Sequence, residues 1–233
     1  MTIKSVRPPL GGWLEKKLSR QEMVFLWDII GESEQDMKEF LAGNITKSSS
    51  LIDRDDWFWN NCLHELCGRY TKEFYNIGFN FPISKNVPYY LADFWVNHQY
   101  QTEFNPLHNH FGIYSFVIWM KIPTDYREQK KLPIARANSQ EISNFQFRYV
   151  NMLGEPSMHN YEMAPSREGT MLFFPSKLLH AVYPFYNCDK ERVSISGNIA
   201  LMLPDTKEDE RRKFVPRDDH DDKEAVFKYR KQG

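Results

Sequence analysis

Apolar positions follow two regimes along the chain. Up to about residue 85 they recur at helical spacing, and from about 86 to 203 they come as short runs bounded by turn residues. In the first zone Met23, Leu26, Trp27 and Ile30 fall on one helical face. Ser19 with Glu22 three residues later fits a capping box, and Gly31 suits the stop. A second helix is predicted within 34–42. A third is predicted from about Asp53 to Ile77, where Trp57, Cys62, Leu66, Tyr70 and Phe74 recur near every fourth residue before Gly78. Zone 1–85 thus reads as a helical region that packs its apolar face on the remainder.

The second zone reads as strands. The runs are 89–97, 113–122, 144–151, 158–163, 169–175, 180–186 and 192–203, rich in aromatic and β-branched residues and punctuated by Gly, Pro, Asn and Asp. Such spacing suggests a sandwich, jelly roll or barrel, so the expected class is mainly β with helices, α+β. Residues 124–141 are polar, too long for a hairpin turn, and expected as a surface insertion. Residues 204–233 carry eighteen charges, nine of each sign, and are expected as a solvated tail.

Composition narrows the function classes. With 233 residues, 41% apolar, 17 Phe, 12 Tyr and 6 Trp, the chain can bury a core. Its net charge of −1 leaves no electrostatic footprint for nucleic acid or an acidic membrane. Three cysteines, Cys62, Cys67 and Cys188, form no CxxC pair, which fits a reducing compartment. Cys62 and Cys67 are five apart, do not share a helical face, and are expected as buried thiols. The opening MTIKSVRPPLGGWLEKK has no apolar stretch and no run reaches the length of a membrane span, so a cytoplasmic protein is expected.

The candidate chemistry begins at Pro106-Leu-His108-Asn-His110-Phe-Gly112. On an extended backbone residues two apart share a face, so His108 and His110 aim together. Neutral imidazole is a common transition-metal donor. A third donor is sought elsewhere: His180, opening an apolar run, is the better candidate, and His159 in MHNYEM competes. Twelve residues past His180 the run Arg192–Ile199 alternates. Val193, Ile195 and Ile199 share one face, and Arg192, Ser194, Ser196 and Asn198 the other. Such a polar face turns to water on an open sheet and inward around a ligand cavity. In the second case Arg192 offers a donor fork that matches a carboxylate, and Ser194 adds a hydroxyl.

HxH, a distal His, then Arg-x-Ser resembles the Fe(II)/2-oxoglutarate oxygenase superfamily. Trp95-Val-Asn97, Gly169-Thr-Met-Leu-Phe-Phe-Pro-Ser176 and Arg192-Val-Ser-Ile-Ser-Gly-Asn198 are similar to elements of the His-x-His 2-oxoglutarate oxygenases of phages and bacteria. The likeness spans roughly 89–203. It implies a double-stranded β-helix, a jelly-roll or cupin-like barrel, over 86–203. It also implies Fe(II), 2-oxoglutarate and O2 as cofactor and cosubstrates. His108, His110 and His180 would then hold the metal, Arg192 and Ser194 would bind 2-oxoglutarate, and Asn97, Trp95 and Asn198 would wall the pocket.

One departure matters: His110 stands where the superfamily has a carboxylate. Three registers are open. His110 is the second ligand of a three-histidine site, or His110-x-Gly112 is a halogenase-like pattern with a free position, or His110 stands behind a water. The implied reaction is oxidative decarboxylation of 2-oxoglutarate coupled to C–H hydroxylation of a small-molecule or peptidyl substrate. A zinc-type hydrolase or hydratase would use the histidines but not Arg192 and Ser194. A non-catalytic cupin-like module and a three-histidine thiol dioxygenase are further readings. Nothing in the sequence speaks to oligomeric state.

Overall fold

In a computed structural model of the chain, residues 11–33, 35–74, 87–139 and 141–202 are described. The charged stretch 204–233 lies outside them, as do residues 75–86, which include the expected end of the third helix. The described chain forms two antiparallel sheets. The larger has the order β1 (Leu14–Lys17), β8 (Thr170–Pro175), β5 (Tyr114–Lys121), β10 (Arg192–Leu201), β3 (Tyr89–Gln99), β2 (Lys47–Ser50). The smaller has β4 (Asn105–His108), β9 (Leu179–Val182), β6 (Phe145–Val150), β7 (Pro156–Tyr161). From β3 onward the chain passes back and forth between the sheets, the wrap of a double-stranded β-helix or jelly roll. The fold is mainly β with helices, as expected.

Two cores flank the larger sheet. On its outer face Phe94, Val96, Phe116, Ile118, Val193, Ile195 and Ile199 meet α1 (Arg20–Gly31) and α2 (His64–Glu73). On its inner face Val117, Trp119, Leu172 and Phe174 meet Phe145, Phe147 and Tyr161 of the smaller sheet. Strands β5 and β8 are covered on both faces, so their sequences read as continuous apolar runs. β10 is covered by helices on one face only, and its polar residues turn inward between the sheets.

The helices follow their sequence signals in part. Ser19 Oγ accepts from Glu22 N–H while the Glu22 carboxylate accepts from Ser19 N–H, and α1 ends at Gly31. The helix expected within 34–42 is only a 3₁₀ turn, Lys38–Phe40. The third starts as a 3₁₀ turn at Arg54–Asp56 and a π-turn at Trp59–Leu63 before α2, because the Asp53 carboxylate caps the N–H groups of Phe58 and Trp59. Cys62 and Cys67 are buried, which pushes both thiols up to about 12. The first zone is also not purely helical, since β1 and β2 extend the larger sheet at both edges. Within 124–141, Tyr126 and Gln129 are buried, and the Gln129 amide bonds both the N–H and the C=O of Tyr186, so this segment is tied down. Among the described residues no helix is long and apolar enough to cross a membrane.

Candidate metal centre

His108 ends β4 and His180 lies directly opposite it on β9. Cross-strand partners have Cβ atoms about 5 Å apart, so the pairing alone brings the two imidazoles together, their centroids 4.3 Å apart. His110 reaches the same point from the loop after β4. Its N–H donates to Ser176 C=O at 2.8 Å and its C=O accepts from Lys177 Nζ at 3.0 Å. Gly112 sets the course of this loop. It has φ +96°, and an added Cβ would stand 2.7 Å from the carbonyl oxygen of Ile199. The neighbouring Ile113 N–H donates to that same oxygen, beside a bulge in β10. Gly112 is thus explained by backbone packing.

The donor atoms of His108, His110 and His180 all lie within 4.8 Å of one another. Nδ1 of His108 is 2.7 Å from Pro106 C=O, and Nδ1 of His180 is 2.9 Å from Leu178 C=O. A carbonyl only accepts, so both Nδ1 atoms carry the proton and both Nε2 atoms present lone pairs. His110 Nε2 stands 3.1 Å from His180 Nε2. Two nitrogens bound to one metal at about 2.1 Å and a right angle would be about 3 Å apart. Phe145 and Phe174 crowd His180, with ring centroids 5.7 and 5.0 Å away. Burial, together with the neighbouring imidazoles, holds His180 well below its ordinary value. Burial, His108 and Lys177 push His110 to about 3, and burial lowers His108. All three rings are neutral at pH 7, the form that binds a metal. His159, the competing distal donor, is exposed on β7 and packs edge-on against Trp13 and Tyr161. The structure does not bring it to the cluster.

The same cavity is lined by Arg192, Ser194, Asn97 and Trp95. Arg192 is 1% exposed. Its guanidinium donates to Ser143 Oγ at 2.7 Å, Ser143 C=O at 3.1 Å and Gln99 Oε1 at 3.3 Å, and lies over the Phe185 ring. Its Nε–H has no partner, and no carboxylate pairs with it among the described residues. Burial pushes its pKa down to about 9. A buried, uncompensated guanidinium at the wall of a cavity is a ready partner for an anion.

The remaining expected residues are placed as follows. Trp95 is buried with its ring 5.6 Å from that of His110, and Asn97 Oδ1 accepts from Ser48 Oγ at 2.7 Å. Asn198 does not line this cavity. It faces the adjoining outer one, bonded to Asp93 and Ser115. Gln99 and Ser143 were not anticipated. Gln99 was legible as the continuation of the Trp95, Asn97 alternation. Ser143, in a turn with φ +60°, carries no sequence signal.

Residues 93–198 match the sequence pattern of a family described as "Putative 2OG-Fe(II) oxygenase". No curated protein matches the chain. Solved structures with a similar course include a Pseudomonas putida prolyl-4-hydroxylase, at 13% identity and TM-score 0.45, covering 83% of this chain and 94% of that one. HygX from Streptomyces hygroscopicus, solved with nickel, 2-oxoglutarate and hygromycin B, aligns at 10% identity and TM-score 0.45, covering 82% and 83%. The 2-oxoglutarate-dependent epimerase SnoN of nogalamycin biosynthesis aligns at 15% and 0.47, covering 88% and 90%. Residues 93–198, the stretch that holds the three histidines and Arg192, are thus the part of this chain that is similar in sequence to the 2OG-Fe(II) oxygenases.

Proposed function

We propose that this chain is a 2-oxoglutarate-dependent dioxygenase that hydroxylates a C–H bond of a small-molecule or peptidyl substrate. The observation that carries the reading is Arg192: a buried cation without a counter-charge among the described residues, on the wall of the cavity that three neutral imidazoles face. A hydrolytic zinc site would use the imidazoles and leave Arg192 without a purpose.

The donor set fits the cofactors of the family. His108, His110 and His180 would hold Fe(II) through Nε2, in the three-histidine register. The carbonyls of Pro106 and Leu178 fix two of those rings in the tautomer that ligation needs. Arg192 would take the far carboxylate of 2-oxoglutarate, with its unpartnered Nε–H as one donor and the Ser194 hydroxyl, one step along β10, as a further one. When bound, the iron activates O2, with 2-oxoglutarate oxidised to succinate and CO2 and one oxygen atom left for the substrate. Phe145, Phe174 and Trp119 line the cavity and keep water from it. Trp95 and Asn97 wall the space between the imidazoles and Arg192.

The test is product analysis. The Fe(II)-loaded protein, given 2-oxoglutarate and air, is expected to release succinate, and a candidate substrate is expected to gain one oxygen atom in mass as succinate release rises with it. A substrate that stimulates succinate release but leaves with its mass unchanged or two hydrogens lighter would overturn hydroxylation while keeping the oxygenase.

A further inference from the structure

The substrate side of the site carries a carboxylate that the proposed reaction does not use. On β3, Asp93, Trp95, Asn97 and Gln99 stand opposite Asn198, Ser196, Ser194 and Arg192 of β10. This row runs about 20 Å along the strand, from the guanidinium at one end to Asp93 at the other. Trp95, beside His110, marks the level of the imidazoles. Asp93 lies one rung, about 7 Å, further from Arg192. There it lines the outer cavity, whose other walls include Met37, Phe40, Leu41 and Phe111, with His108 and His110 at its inner side.

Asp93 is held in place but not neutralised. Its Oδ2 accepts from Asn198 Nδ2 at 2.7 Å. Asn198 Oδ1 is 2.7 Å from Ser115 Oγ, which is 2.9 Å from Ser176 Oγ. No Lys, Arg or His pairs with Asp93 among the described residues. Arg54, which lines a neighbouring groove with it, is engaged by Asp28 and Glu32. Burial raises the Asp93 carboxyl above its ordinary range, as expected for a charge short of compensation. The outer cavity sets apolar and aromatic side chains, Met37, Phe40, Leu41, Trp95 and Phe111, beside the polar Asn109 and Asn198, and apolar and aromatic walls receive the stem of an organic cation and tolerate its charge.

We propose that Asp93 is a specificity-determining residue that anchors a cationic group, an ammonium or guanidinium on an apolar stem, and so presents the stem to the His108–His110 side of the site. The proposal rests on the oxygenase reading and names its substrate class. A carboxylate serving only to brace Asn198 would show no preference for charge.

The experiment is anaerobic titration calorimetry on the full chain loaded with Fe(II) and 2-oxoglutarate, with n-pentylammonium and 1-pentanol as probes of equal length. The ammonium is expected to bind at least tenfold more tightly. Asp93→Asn, which keeps an acceptor for Asn198, is expected to bring the two probes within twofold of each other. Asp93→Glu, which keeps the charge, is expected to retain the preference. Equal binding of the probes, binding of neither, or a preference that survives Asp93→Asn overturns the proposal. The visible charge-transfer band of the Fe(II)–2-oxoglutarate complex separates the two levels. Its presence in wild type and in Asp93→Asn shows that the centre is intact and puts any failure on the substrate class. Its absence in wild type overturns the oxygenase reading and this proposal together.

Discussion

Removing the charge of Arg192 tests the carboxylate site without disturbing the imidazoles. Burial takes its pKa from an ordinary 12.5 to about 9, a cost to the charged form on the order of 5 kcal/mol. Four hydrogen bonds, to Ser143 Oγ, Ser143 C=O, Gln99 Oε1 and, at 3.5 Å, Tyr183 C=O, offset part of it at up to about 1.5–3 kcal/mol each. Arg192→Met fills much of the same volume, relieves the cost and forfeits the bonds. The melting temperature without 2-oxoglutarate is therefore expected to move by only a few degrees, in keeping with other buried charges replaced by apolar groups. The response to 2-oxoglutarate is expected to change outright. At a concentration about 100-fold above its Kd the ligand adds about 2.7 kcal/mol to wild type, or roughly 5–10 °C for a chain of this length. Arg192→Met is expected to show no such rise while still binding metal. Melting curves with and without 2-oxoglutarate, at fixed divalent metal, measure both. An equal rise in the two proteins would refute the carboxylate role of Arg192. Loss of metal binding along with it would make Arg192 a structural residue.

Three further outcomes follow from the geometry. His180→Ala is expected to abolish tight iron binding, whereas His159→Ala, on an exposed edge strand, is expected to leave it unchanged; metal analysis after desalting decides. Gly112→Ala places a Cβ 2.7 Å from Ile199 C=O at φ +96° and is expected to cost about 1–3 kcal/mol, with weaker metal retention because the loop that carries His110 must move. The third concerns acid. His110 takes up a proton near pH 6.5 when unfolded but only near about 3 when folded, so the unfolded chain binds more protons in between, and stability falls as pH drops through that window. His110 alone accounts for about 2 kcal/mol of loss by pH 5. Urea midpoints at pH 7.5 and pH 5 are expected to fall less in His110→Asn than in wild type, and parallel falls would contradict the burial of a neutral imidazole.

The strands and the inward polar face were legible because they rest on alternation, which a buried sheet enforces residue by residue. Arg192, Ser194, Ser196 and Asn198 share a face by sequence, and the structure turns the first three toward the cavity and Asn198 toward the adjoining outer one. Elements that owe their form to distant partners were not legible. β1 is a strand because Leu14–Lys17 pairs with Thr170–Phe173, and its charged sequence LEKK gives no sign of it. β4 is four residues long and contains Pro106, so only its pairing with β9 defines it. The helical spacing of 53–77 concealed a 3₁₀ turn and a π-turn that follow from capping by Asp53. At the site, HxH could be read as two aligned side chains. The opposition of His108 and His180 across two strands could not, because register is set by the whole sheet. Asp93 was not legible for a related reason: its meaning depends on what stands opposite it and on there being no cation paired with it among the described residues.

The proposed function requires that one cavity join a metal bound by three imidazoles to a 2-oxoglutarate held by Arg192. Anaerobic addition of Fe(II) and 2-oxoglutarate, followed by visible absorption, tests it most directly, since the band arises only when the 2-oxo acid chelates the iron. A weak metal-to-ligand charge-transfer band is expected in wild type, absent in His180→Ala and restored in Arg192→Met only at much higher 2-oxoglutarate. No band in the wild-type protein, together with no succinate on admitting air, would contradict the account.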